Sequence, residues 1–179
     1  MRVWCTLRFA APAQLVSDML VAPDFQQRIA TAIDAVECSV VGGPDRVTSI
    51  FVMPTAAPLY GVSGPLSKQF GELFWTTPLV DGQRQGRVGI RIDRSPVSLG
   101  GPVYLRSADS VTTVDYDTEL DLDMPMLEAG AERAVANRAA TVIGFNQSLG
   151  EAWLKAHGVE HPEVPRGTGR SGPSRPSRN

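Results

Sequence analysis

Residues 126–156 read MLEAGAERAVANRAATVIGFNQSLGEAWLKA, a run without proline and rich in Ala, Glu, Leu and Arg. That composition predicts one long helix from Met126 to Ala156. At 100° per residue, Ala131, Val135, Val142, Leu149 and Trp153 fall within about 20° of Val142, which defines a stripe to be buried. Arg138 and Asn146 lie about 40° to either side of it, inside an apolar arc that is normally over 100° wide. They are polar residues at core positions. A helix so patterned needs an apolar surface to lie on, and the residues before it supply strands. Residues 111–122, with Val114, Tyr116, Thr118, Leu120 and Leu122 alternating against acids, read as the longest of them.

Further upstream the period of two recurs in Arg2–Phe9, around Val36–Val40, in Val47–Met53, in Leu73–Val80, in Gly86–Ser98 and in Pro102–Arg106. Turns are expected at Gly42–Asp45, Asp81-Gly82, Gly100-Gly101 and Ala108–Ser110. Two short helices follow the first strand, one carrying Leu15, Met19 and Leu20, the other opened by Pro23-Asp24 and carrying Phe25, Ile29 and Ile33. Pro54–Gly71 is rich in Pro and Gly and reads as a long loop with a helical turn near Leu66–Phe70. Antiparallel hairpins ahead of one amphipathic helix make an α+β domain of two layers, not a parallel α/β one.

The chain has 179 residues, 42% hydrophobic and 20% charged, as expected of one folded domain. Its formal net charge of −2 is too balanced to mark the domain as a nucleic-acid binder. Arg8 interrupts any apolar leader, and no run approaches the ~18 apolar residues of a membrane span, so a cytoplasmic protein without integral membrane association is expected. Cys5 and Cys38 form no metal or redox motif. Residues 158–179, with four Pro and four Arg, read as a disordered tail behind a domain of residues 1–157.

Little in the chain points to catalysis. His157 and His161 stand at the end of the last helix and in the tail, where neither completes a triad. No phosphate-binding glycine motif is present, and no cofactor or metal is expected. Asp115, Asp117, Glu119, Asp121 and Asp123 alternate along the last strand, so they share a face. Neither calcium-loop frame on that row has a glycine at its sixth position, so the acids read as a solvated face beside Arg87, Arg91 or Arg106.

The element order, with Leu7-Arg8-Phe9, Pro23-Asp24-Phe25, Phe51-Val52-Met53-Pro54-Thr55 and a helix ending Gly150-Glu151-Ala152-Trp153-Leu154, resembles the helix-grip superfamily, START-like and Bet v 1-like, also called SRPBCC. More narrowly it is similar to the actinobacterial DUF2505 family. The resemblance spans about residues 1–157 and implies a curved antiparallel sheet of about seven strands wrapped on the C-terminal helix. It also implies a cavity between sheet and helix for a hydrophobic small molecule, lipid or polyketide-like. The residues expected to line it are Phe51, Met53, Phe74, Ile90, Ile92, Tyr116, Val142 and Phe145, with Arg138, Asn146 and the Tyr116 hydroxyl orienting a polar head. Plain core packing accounts equally for the apolar ones, and an edge position or an ion pair for Arg138. The loop at 54–71 would serve as a lid or as a self-packed Ω-like loop. Two other functions fit the same resemblance: an aromatase or cyclase using the cavity, or a non-catalytic interaction module, for instance a homodimer.

Overall fold

Alternation builds the sheet. In the computed structural model the described residues are 1–54, 65–95, 97–122 and 129–159, with side chains described for all of these except 122 and 129–142. β1 (Arg2–Phe9) buries Val3, Leu7 and Phe9 and turns Arg2, Trp4, Thr6 and Arg8 outward. After α1 (Ala13–Val21) and α2 (Pro23–Ala32) come β2 (Glu37–Gly42), β3 (Arg46–Pro54), β4 (Leu66–Trp75), β5 (Gln83–Ile92), β6 (Val97–Ala108) and β7 (Val111–Leu122), and then α3 (Ala129–Ala156). The seven strands form one sheet in the order β1-β7-β6-β5-β4-β3-β2, antiparallel throughout. The fold is α+β, with helices on the inner face of the sheet.

Two of the expected turns are tight hairpins with both central residues at positive φ, Asp81-Gly82 and Asp109-Ser110, as the twist of paired strands requires. The other two differ in outcome. Gly42 ends β2 and the turn follows, but Gly100 and Gly101 lie inside β6. A Cβ on Gly101 would collide with the Asp117 carbonyl oxygen, so this glycine permits close approach of β7 instead of a reversal. Leu66–Phe70, expected to form a helical turn, begins β4 and pairs with β3. Residues 55–64 of the expected lid, and the tail beyond Val159, lie outside the described residues.

α1 and α2 rest on the inner face, and α3 lies along β1 and against both short helices. In the C-terminal half of α3, Ile143, Gly150, Trp153 and Leu154 are buried, Leu149 is half-buried and Phe145 is 51% exposed. Its buried stripe is therefore turned about 80° from one centred on Val142. Gly150 is the point of closest approach: a Cβ there would lie 2.5 Å from Phe9 and 3.1 Å from Met19. Gln147 fastens the helix to the sheet edge. Its Oε1 accepts the Arg8 backbone N–H at 2.7 Å, while its Nε2 donates to the Arg8 carbonyl and to Glu151. A second tie joins α3 to α2, where the Trp153 indole N–H donates to Asp24 Oδ2 at 2.7 Å and the Trp153 ring stacks on His157.

Candidate functional site

The register divides the inner face into two ends. At one end Phe9, Leu7, Leu105, Val103 and Val114 are wholly covered, with Val16, Met19, Leu20, Phe25 and Leu154 packed over them. Even the charge is enclosed there. Arg84 donates to Ser17 Oγ at 2.7 Å, pairs with Asp45 and lies over the Trp75 ring. At the other end two successive rows cross the sheet: Ser49, Gly71, Ile90, Leu99 and Leu120, then Phe51, Gln69, Ile92 and Val97. Met53 and Ser67 face each other one step further. Phe51 is buried here, but Met53, Ile90, Ile92 and Val97 are only half-buried although they point to the helix side.

Of the residues expected to line a cavity, the fold thus brings Phe51, Met53, Ile90 and Ile92 together. Tyr116 shares the inner face but sits towards the closed end, opposite Cys5 and Val103. Its burial pushes the phenol well above its ordinary range, with the neighbouring Cys5 thiol adding to the effect, and burial raises Cys5 too. Among the described residues the Tyr116 hydroxyl has no hydrogen-bond partner. Asn146 is half-buried. Phe74 stands on the outer face, between Arg46 and Arg87 in the register, because Leu73 and Trp75 take the inner positions. Phe145 points away from the sheet side of α3. The side chains of Arg138 and Val142 lie outside the described residues.

The residues that periodicity did not single out are Ser49, Ser67 and Gln69. Ser49 alternates with Val47 and Phe51 on β3, and the other two follow from β4 once it is read as a strand from Leu66: its inner positions run Ser67, Gln69, Gly71, Leu73, Trp75, polar or small at the open end and apolar at the closed one. A helical turn at 66–70 would hide that change.

A groove of about 470 Å³ lies on the opposite, outer face of β2–β6, walled by Thr48, Ile50, Phe70, Glu72, Arg91 and Ser98 and floored by Gly89. Ser49, Gly71, Ile90 and Leu99, the inner row beneath it, border it as well. Its charges are engaged: Glu72 pairs with Arg46 at 2.5 Å, and the Arg91 guanidinium lies 4.1 Å from the Phe70 ring centre. It is a depression over small residues on the outer face. The acidic row of β7 also faces outward. Asp117 pairs with Arg2 at 2.6 Å, which holds its carboxyl below the usual value, and Asp115 meets Arg106 at 3.2 Å and Thr6 at 2.6 Å. Among the described residues no cluster of His, Cys, Asp and Glu could hold a metal ion, and no helix is long and apolar enough to cross a membrane.

Seven antiparallel strands, two short helices after the first strand and a long C-terminal helix define the helix-grip class, and solved structures agree. A protein from Thermus thermophilus superposes with a TM-score of 0.62 at 14% identity, covering 89% of this chain and all of that one. A START superfamily protein from Mycobacterium smegmatis gives 0.53 at 13%, covering 87% and 98%. A STAR-related lipid transfer protein from Xanthomonas axonopodis gives 0.54 at 16%, covering 80% and 81%. Within that class the sequence matches, over residues 62–154, the family described as protein of unknown function DUF2505, and the chain belongs to that family. No curated protein matches it.

Proposed function

We propose that the protein binds a hydrophobic small molecule, lipid or polyketide-like, between the open end of the sheet and α3, without chemistry. One observation carries the reading: Met53, Ile90, Ile92 and Val97 point to the helix side yet keep part of their surface uncovered, whereas Leu7, Phe9, Val103, Leu105 and Val114 at the other end keep 1% or less. An apolar inner wall that the protein does not finish covering is what a guest would cover. The likeness to a START superfamily protein and to a STAR-related lipid transfer protein supports this at the level of fold. In this reading Phe51, Met53, Ile90 and Ile92 form the sheet wall, and Asn146 on α3, half-buried, stands on the opposing side.

Native mass spectrometry of protein purified from cells, followed by titration of the delipidated protein with N-phenyl-1-naphthylamine, tests the proposal. A retained small-molecule mass, or saturable probe fluorescence with one site per chain, is expected. Ile90→Trp, which fills the open end, is expected to weaken probe binding about tenfold or more while the protein stays folded. Probe binding that is absent, or indifferent to Ile90→Trp, overturns it.

A further inference from the structure

The inner face sorts its polar groups in two. Thr112 donates to the Ala11 carbonyl at 2.6 Å, Thr118 donates to the Val3 carbonyl at 3.0 Å, and Ser17 accepts from Arg84, so the buried serine and threonine hydroxyls of the closed half, unlike the Tyr116 phenol, are satisfied. Ser49 and Ser67 are as deeply buried, at 5% and 6% exposed, and among the described residues neither hydroxyl has a hydrogen-bond partner. Nor does the half-buried amide of Gln69, which lies between them. Ser67 and Gln69 are alternate residues of β4, and Gln69 is diagonal to Ser49 across the β3–β4 register, a spacing that long side chains bridge. The three form a polar seam flanked by Phe51 and Met53 on one side and Ile90 and Ile92 on the other.

A buried hydroxyl without a partner is costly, so a seam of this kind is suited to a guest that supplies the missing hydrogen bonds. Its chemistry limits what that guest can be. Hydroxyls and a primary amide donate and accept without charge. Lys68 and Arg91, the neighbouring cations, stand on the outer face, and Arg84 is engaged at the closed end with Ser17 and Asp45. A carboxylate brought to this seam would be desolvated with no cation from the sheet beside it, which disfavours it strongly; an alcohol or ketone would not be.

We infer that the ligand is an apolar molecule with an uncharged oxygen function, a hydroxyl or a carbonyl, held by Ser49, Ser67 and Gln69. The inference rests on the ligand-binding reading above and adds the head group. The test uses the full chain, delipidated, with N-phenyl-1-naphthylamine bound, and compares its displacement by dodecanol and by dodecanoate at pH 8, where the acid is ionised. Dodecanol is expected to displace the probe at a concentration about tenfold lower or better, because only the acid must desolvate a charge. Ser49→Ala combined with Gln69→Leu is expected to reduce dodecanol affinity several-fold while leaving probe affinity and the melting temperature unchanged or higher, since unpartnered polar groups are removed. Equal displacement, or tighter dodecanoate, overturns the inference and leaves ligand binding intact. Dodecanol binding that the double variant does not alter overturns it as well. Failure of the probe itself to bind removes both readings, so the two failures are told apart.

Discussion

Phe9 and Ile92 occupy equivalent inner positions at opposite ends of one sheet, and their surroundings differ. Phe9 is fully buried under Met19 and the bare backbone of Gly150, close enough that no further carbon fits. Ile92 lies beside Gln69 and keeps part of its surface. The first environment is a core, where side chains meet at crystal-like density. The second has apolar walls, a polar seam and incomplete cover. The same strands supply both, so the difference lies in side-chain size and polarity along each strand, seen most directly where β4 changes from Ser67 and Gln69 to Leu73 and Trp75.

Truncation should separate the two ends most strongly. Phe9→Ala is expected to cost about 3–5 kcal/mol and Ile92→Ala under about 2 kcal/mol in urea denaturation. Equal losses would remove the distinction. Adding a methyl group sharpens it on the helix. Gly150→Ala should destabilise by about 1–3 kcal/mol through the Phe9 and Met19 contacts. Gly144→Ala, with nothing within 4 Å, should stabilise by about 0.5–1 kcal/mol through helix propensity. The smallest effect is in pH dependence. Because burial raises the Tyr116 phenol above its unfolded value of about 10, its share of stability is complete below that pH and is lost as pH rises beyond it. Tyr116→Phe should therefore flatten the alkaline limb of the stability curve, and a limb unchanged by that substitution would mean that the phenol is not enclosed.

Much of this architecture could be read from pattern. Alternation in Arg2–Phe9 and in Val111–Leu122, Pro23-Asp24 opening a helix, and Asp81-Gly82 as a hairpin all act within a few residues, where local chemistry dominates. What escaped was the choice between faces. Phe74 is as apolar as Trp75, and only the pairing of β4 with β3 and β5 shows which of them turns inward. On an alanine-rich helix several stripes are nearly equal in hydrophobicity, and contact with β1 selects Ile143, Gly150 and Leu154 over one centred on Val142, leaving Phe145 in solvent. Of the candidate site, the aliphatic wall of Met53, Ile90 and Ile92 was legible from period-two spacing. The seam was not, because serine and glutamine in a strand carry no hydrophobic signal and their position depends on pairing.

The amide of Gln147 also bears on solubility. Sheets polymerise by adding the border strand of one molecule to that of the next, and an open-ended filament needs a vacant border on each side of every subunit. A strand laid beside β1 would have to evict Gln147 from the Arg8 backbone. With that side occupied by the chain's own helix, joining through β2 can unite two molecules face to face, but growth of that kind stops at the pair.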